Sequence, residues 1–156
     1  MLRSLNDLAT LDFVLHISAG PVAPCRSTVL TFTHLLHSRY RSKSGLASYI
    51  NDLVHVSVVT DYAKPIVDEV MAVYWVADDF TGVVVVPPGA SLRLTVVKLG
   101  EEVVGKGKIL GIVRGMNGKF DSIEQLTVGE NFSPGMSKGF SIASIAIINC
   151  VGCELD

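Results

Sequence analysis

Apolar residues along this chain alternate with polar ones at a spacing of two more often than they recur at helical spacing, and that pattern predicts strands. Leu11–Ile17 is the first such run, closed by Gly20, Pro21 and Pro24. In Ser27–Thr33, Leu30 and Phe32 fall on one face and Thr31 and Thr33 on the other. Leu53–Thr60 sets Val54, Val56 and Val58 against His55 and Ser57, the signature of a half-buried strand. After a turn over Asp61–Asp68 containing Pro65, Glu69–Ala77 is apolar on both faces and reads as a central, doubly covered strand. Val83–Val86 is stopped by Pro87-Pro88-Gly89. Leu92, Leu94 and Val96 alternate with Arg93 and Thr95. Lys106–Arg114 reads as a strand turned by Gly115–Gly118, Glu124–Val128 as a short one, and Phe140–Val151 as a long, Ile-rich one. Only His34–Ile50 lacks strand patterning, and it reads as a basic connection with one short helical turn. About eight or nine strands and almost no helix make the expected fold all-β, a single domain over residues 1–156 built as a two-sheet jelly roll or a closed barrel.

Composition sharpens this picture. Apolar residues make up 49% of the chain and charged ones 18%, against roughly 25% charged in an ordinary domain, and the mean hydropathy is +0.44. A membrane span would need about 20 consecutive apolar residues. The longest runs, Gly82–Pro88 and Ile142–Ile148, are strand-sized, so no membrane partner is expected. Nor does Met1–Asp7 have the long apolar centre of a secretory signal. The excess apolar surface is therefore expected to be covered by further copies of the chain or by a partner. A net charge of −2 excludes a global basic field for nucleic acid and leaves only local contacts. Three cysteines, Cys25, Cys150 and Cys153, are an odd number and too few for a disulfide scaffold, which fits a reducing, intracellular setting.

The strand Leu53–Thr60, the turn Asp61–Asp68 and the strand Glu69–Ala77, with its Tyr74-Trp75-Val76 centre, together resemble the coat proteins of tymoviruses and similar small icosahedral plant RNA viruses. Leu11–Ile17 resembles their first jelly-roll strand, and Tyr40-Arg41 a Tyr-Arg pair they carry at that point, while Ala77 stands where those coats carry proline. The resemblance implies an all-β, eight-stranded jelly-roll β-sandwich with few or no helices, a non-enzymatic coat protein that self-assembles, in many copies, into an icosahedral shell around genomic RNA. It would be assembled in the host cytoplasm and located in the virion.

Within that reading, His37, Arg39, Tyr40, Arg41 and Lys43 form the expected RNA-binding segment, with three fixed cations near a ring that stacks on bases. The same run also reads as a solvated connection. The four histidines, His16, His34, His37 and His55, are candidate pH-sensitive contacts and equally ordinary structural residues. No cofactor is expected beyond a structural calcium at Asp78-Asp79, against which stands a solvated turn. Cys150-Val151-Gly152-Cys153 is a lone CxxC, weak as a zinc motif, and no metal ligand is assigned. Gly105-Lys106-Gly107-Lys108 lacks phosphate-loop spacing and reads as a hairpin turn entering a strand. No catalytic grouping sits at motif spacing.

Two rivals remain. Pro88–Val97 followed by Gly105–Val113 is similar to the paired strands of hotdog-fold acyl-thioester dehydratases and thioesterases, although the long central helix of that fold has no counterpart here. A β-barrel module binding a small apolar ligand is the other.

Overall fold

The chain folds into two units, Met1–Asp68 and Glu69–Asp156, in a computed structural model that describes residues 1–23, 31–78, 80–100 and 105–148. In the first unit, helix α1 (Leu2–Asp7) runs into a 3-10 turn, Leu8–Thr10, whose Leu8 is buried. Strands β1 (Val14–Pro21) and β2 (His34–Tyr40) pair antiparallel, with His16 opposite Arg39, Ser18 opposite His37 and Gly20 opposite Leu35. The side chain of Asn6 occupies the backbone edge of β1: its Oδ1 accepts from the Ala19 N–H at 2.8 Å and its Nδ2 donates to the Ala19 carbonyl at 3.4 Å. An edge satisfied in this way is blunted as a template for another strand.

Two side-chain caps then start helices. Ser42 Oγ accepts from the Gly45 N–H at 3.1 Å and opens α2 (Lys43–Asn51). Asp52 Oδ1 accepts from the N–H groups of Val54 and His55, at 2.8 and 3.3 Å, and opens α3 (Leu53–Val58), which relaxes into a π-type turn over Val59–Ala63. Each cap satisfies orphan donors worth about 1 kcal/mol, enough to offset the modest helix reluctance of a Val-rich sequence. Among the described residues of this unit, Leu8, Ile17, Leu46 and Tyr49 are the buried apolar ones.

In the second unit, β3 (Ser91–Val97), helix α4 (Lys106–Arg114), β4 (Ile123–Glu130) and β5 (Ile142–Ile148) build a three-stranded antiparallel sheet in the order β3-β5-β4. The central β5 is buried on both faces, with Ile142, Ala143, Ile145 and Ile147 all at most 2% exposed. On one face Val97, Val128 and Ile142 pack with Leu110, Ile109 and Val113 of α4. The other face carries Leu94, Val96, Ala143, Ile145 and Ile147 beside Gln125 and Thr127.

The segment Glu69–Ala77 lies along this unit without a strand ladder. Its Ala72 N–H donates to the Met136 carbonyl, the Phe132 N–H donates to the Tyr74 carbonyl, and Trp75 Nε1 donates to Thr127 Oγ1 at 3.3 Å. Trp75 rests directly on Gly129, where an added Cβ would stand 2.8 Å from Trp75 Cβ.

This architecture is not an all-β jelly roll. Among the described residues, four α-helices accompany two small sheets. Leu53–Thr60 begins as α3 because Asp52 caps it, and Lys106–Arg114 is α4 because Ile109, Leu110 and Val113 share one helical face while Ile112 is exposed. His34–Ile50, expected to be a connection, is β2 followed by α2. Val83–Val86 forms no strand. The doubly covered strand is β5, not Glu69–Ala77. Of Ser27–Thr33, residues 27–30 lie outside the described residues, and 31–33 are irregular.

Candidate functional site

Antiparallel pairing places His16 beside Arg39 and Ser18 beside His37, and side-chain alternation along each strand brings both pairs to the same face of the ribbon. The opposite face carries Ile17, Ser38 and Tyr40, and there Tyr40 meets Tyr49 of α2 at 5.0 Å between ring centroids. Tyr49 of α2 therefore lies on the Tyr40 side, and the four polar side chains share the opposite face.

On that face, His16 Nε2 and Ser18 Oγ are hydrogen-bonded at 3.2 Å. The His16 and His37 rings stand 5.5 Å apart, tilted by 52°. His37 is 7% exposed, and its Nδ1 is buried without a hydrogen-bond partner. Burial, with the nearby Arg39 charge and then His16, holds the His37 imidazole down to about 3, so it is neutral near pH 7. Burial and Arg39 also lower His16, while burial alone lowers Arg39, whose guanidinium nevertheless remains charged. The charge that acts on both imidazoles is that of Arg39.

The five residues expected to bind RNA are thus dispersed by the fold. His37 and Arg39 share the polar face, Tyr40 turns to the Tyr49 side, and Arg41 and Lys43 are exposed at the entrance to α2. His34 is exposed at the start of β2, with Nδ1 3.0 Å from Thr33 Oγ1. His55 packs on Tyr49 at 4.2 Å, with its Nδ1 3.3 Å from the Ile50 carbonyl oxygen. Ser18 escaped the sequence reading, although its position two residues beyond His16 in an alternating run was the signal that could have found it.

Other candidates fare differently. Gly105-Lys106-Gly107-Lys108 opens helix α4 rather than a strand, and Lys106 is ion-paired with Glu130 at 3.4 Å. Beside it lies a cavity of about 190 Å³ lined by Asn131, Ser137 and Phe140 among others. Asn131 is engaged throughout: Oδ1 accepts from the N–H groups of Tyr74 and Ser133, and Nδ2 donates to the carbonyls of Ser133 and Phe140. Among the described residues no cluster of three or more His, Cys, Asp or Glu could hold a metal ion. Asp78 is exposed, whereas Asp79 and all three cysteines lie outside the described residues. No helix among the described residues is long and apolar enough to cross a membrane.

The sequence profile of the stress responsive A/B barrel domain matches residues 1–77. The chain is 42% identical over 153 residues to the stress-response A/B barrel domain-containing protein DABB1 of Arabidopsis thaliana, covering 97% of this chain and 72% of that protein. The chain belongs to the stress-response A/B barrel domain family. A second stress-response A/B barrel domain-containing protein of Arabidopsis thaliana is 51% identical over 148 residues, covering 94% of this chain. The chain spans only about half of that longer relative, 56% of its length. No solved structure matches the chain.

Membership of the A/B barrel family overturns the coat-protein resemblance and, with it, the icosahedral shell, the genomic RNA partner and the virion location. It equally removes the hotdog alternative. The physical reason is local: the first of the two strands that carried the viral resemblance is the capped helix α3, and the second has no ladder.

Proposed function

We propose that this A/B barrel protein is a non-catalytic binding module of the stress response, holding a small ligand against the His16–Ser18–His37–Arg39 face of the β1–β2 ribbon. The relatives' names supply the stress-response setting. One observation carries the binding reading: His37 Nδ1 is buried without a hydrogen-bond partner. A buried polar atom left unpaired costs about 1–3 kcal/mol, and a ligand hydrogen bond at that atom would recover it. Binding is favoured over catalysis because an imidazole held near 3 is too weakly basic to accept a proton efficiently at neutral pH.

The test is a thermal-shift screen of the full chain against small organic acids, alcohols and amides. At least one compound is expected to raise Tm in the wild type and not in His37→Leu, and mass spectrometry should recover it unchanged after prolonged incubation. A screen without a hit, an equal response from His37→Leu, or conversion of the compound would each defeat this reading.

A further inference from the structure

We infer that the cavity where the ends of α4, β4 and β5 meet binds a small apolar α-amino acid as its zwitterion, the ligand carboxylate held by Lys106 and its ammonium by Glu130. This cavity belongs to the second unit alone and stands independently of the ribbon reading above.

The charges specify the head group. Lys106 opens α4 and Glu130 ends β4, and both line the cavity, with Nζ and Oε2 3.4 Å apart and each side chain about half exposed. A lone anion drawn to Lys106 would face the Glu130 carboxylate, and a lone cation drawn to Glu130 would face the Lys106 ammonium. A zwitterion escapes both repulsions, because each of its charges meets an opposite one. An ion pair of this exposure contributes little on its own, so parting it to admit the ligand replaces one weak pair with two. Ser141 enters β5 with its N–H donated to the Val97 carbonyl and its carbonyl accepting from the Asn131 N–H, and its hydroxyl offers a further donor to the carboxylate.

The walls specify the body. Pro134 and Phe140 give the cavity an apolar side, and its volume is about 190 Å³. An apolar cavity of roughly 150 Å³ accommodates benzene, so a branched aliphatic side chain fits. These walls are also fixed in advance. The Asn131 amide ties together Tyr74, Ser133 and Phe140, and Ser137 Oγ donates to the Pro134 carbonyl at 3.0 Å. Lys138 and Gly139 follow at φ 52° and 81°, Lys138 being the one described non-glycine residue in the left-handed region, with its ammonium tied to Glu69. Strain of this kind persists where its surroundings over-determine it, and it gathers at ligand clamps.

Isothermal calorimetry of the full chain at low ionic strength tests this by comparing L-valine with isovalerate, which lacks the ammonium, and isobutylamine, which lacks the carboxylate. L-Valine should bind in the millimolar range or below and at least about tenfold more tightly than either, which is about 1.4 kcal/mol. In ¹H–¹⁵N spectra of the wild type it should move the amide signals of Gly139 and Ser141. Glu130→Gln should weaken L-valine and strengthen isovalerate, whereas Lys106→Gln should weaken L-valine and strengthen isobutylamine. A gain of this kind does not arise from loss of fold, and the three-compound comparison on the wild type needs neither variant. Free glycine, which has no apolar body, should bind more weakly than L-valine. Absence of L-valine binding, equal binding of isovalerate, isobutylamine or free glycine, or L-valine binding that neither substitution weakens would each overturn the assignment.

Discussion

The β1–β2 ribbon and the β3–β5–β4 sheet place opposite chemistries on comparable ground. In the second unit, the face away from α4 is anchored by Ala143, Ile145 and Ile147, which are almost wholly removed from water. In the first, the face opposite Tyr40 carries two histidines, a serine and an arginine, one of the histidines buried with a ring nitrogen unbonded. Burying an apolar side chain of that size contributes about 1.5–3 kcal/mol, whereas burying a polar group without a partner costs stability. The second unit therefore spends its strand surface on stability, and the first gives some of it up. Sites that break the local rules of a fold are where function tends to reside.

The contrast predicts where substitution hurts most. Ile147→Ala removes a fully buried side chain from the doubly covered strand and should cost about 4 kcal/mol, read as a fall in the urea midpoint. A loss below about 1 kcal/mol would mean that β5 is not the mainstay of its unit. Gly129→Ala should cost about 2 kcal/mol in the same assay, because the new methyl would stand 2.8 Å from Trp75 Cβ and 2.9 Å from the Val76 carbonyl oxygen. Its counterpart Gly107→Ala, in α4 with nothing within 4 Å, should instead stabilise by somewhat under 1 kcal/mol.

The ribbon should respond to pH through His37. The His37 imidazole titrates near 3 in the fold and near 6.5 when unfolded, so between those values the unfolded chain takes up a proton that the folded one refuses. Its stabilising contribution is fully present above about pH 6.5 and is lost as pH falls toward 3, at no more than about 1.4 kcal/mol per pH unit. His37→Leu should flatten that part of the stability profile. An unchanged slope would show that the imidazole is not held neutral by its surroundings.

The sheet was the more legible half. Leu92-Arg93-Leu94-Thr95-Val96 alternates cleanly because one side of β3 is covered and the other exposed, and Ile142–Ile148 reads as an apolar run because both its faces are buried. The helices were misread for a reason that lies in the side chains themselves. Val54, Val56 and Val58 mimic a strand by alternating, while the signal that mattered was Asp52 just before them, and Ser42 before α2 carried the same message. In α4, two glycines and a run of β-branched residues hid a helical face of Ile109, Leu110 and Val113. Of the candidate site, His16, His37 and Arg39 were in view as separate candidates, but His16 and Ser18 are contributed by the strand antiparallel to that of the other two. Only the register of β1 on β2 brings the four together, and a single sequence does not display register.

Trp75 is the chain's single tryptophan, and it sits against Gly129 and Thr127 within the second unit. The molecule consequently carries its own optical label for one half. Indole emission follows unfolding of the sheet alone, while tyrosine absorbance sums Tyr40 and Tyr49 beside the ribbon with Tyr74 against Phe132, so a fluorescence midpoint that departs from the absorbance midpoint would reveal the two units unfolding apart in one unmodified sample.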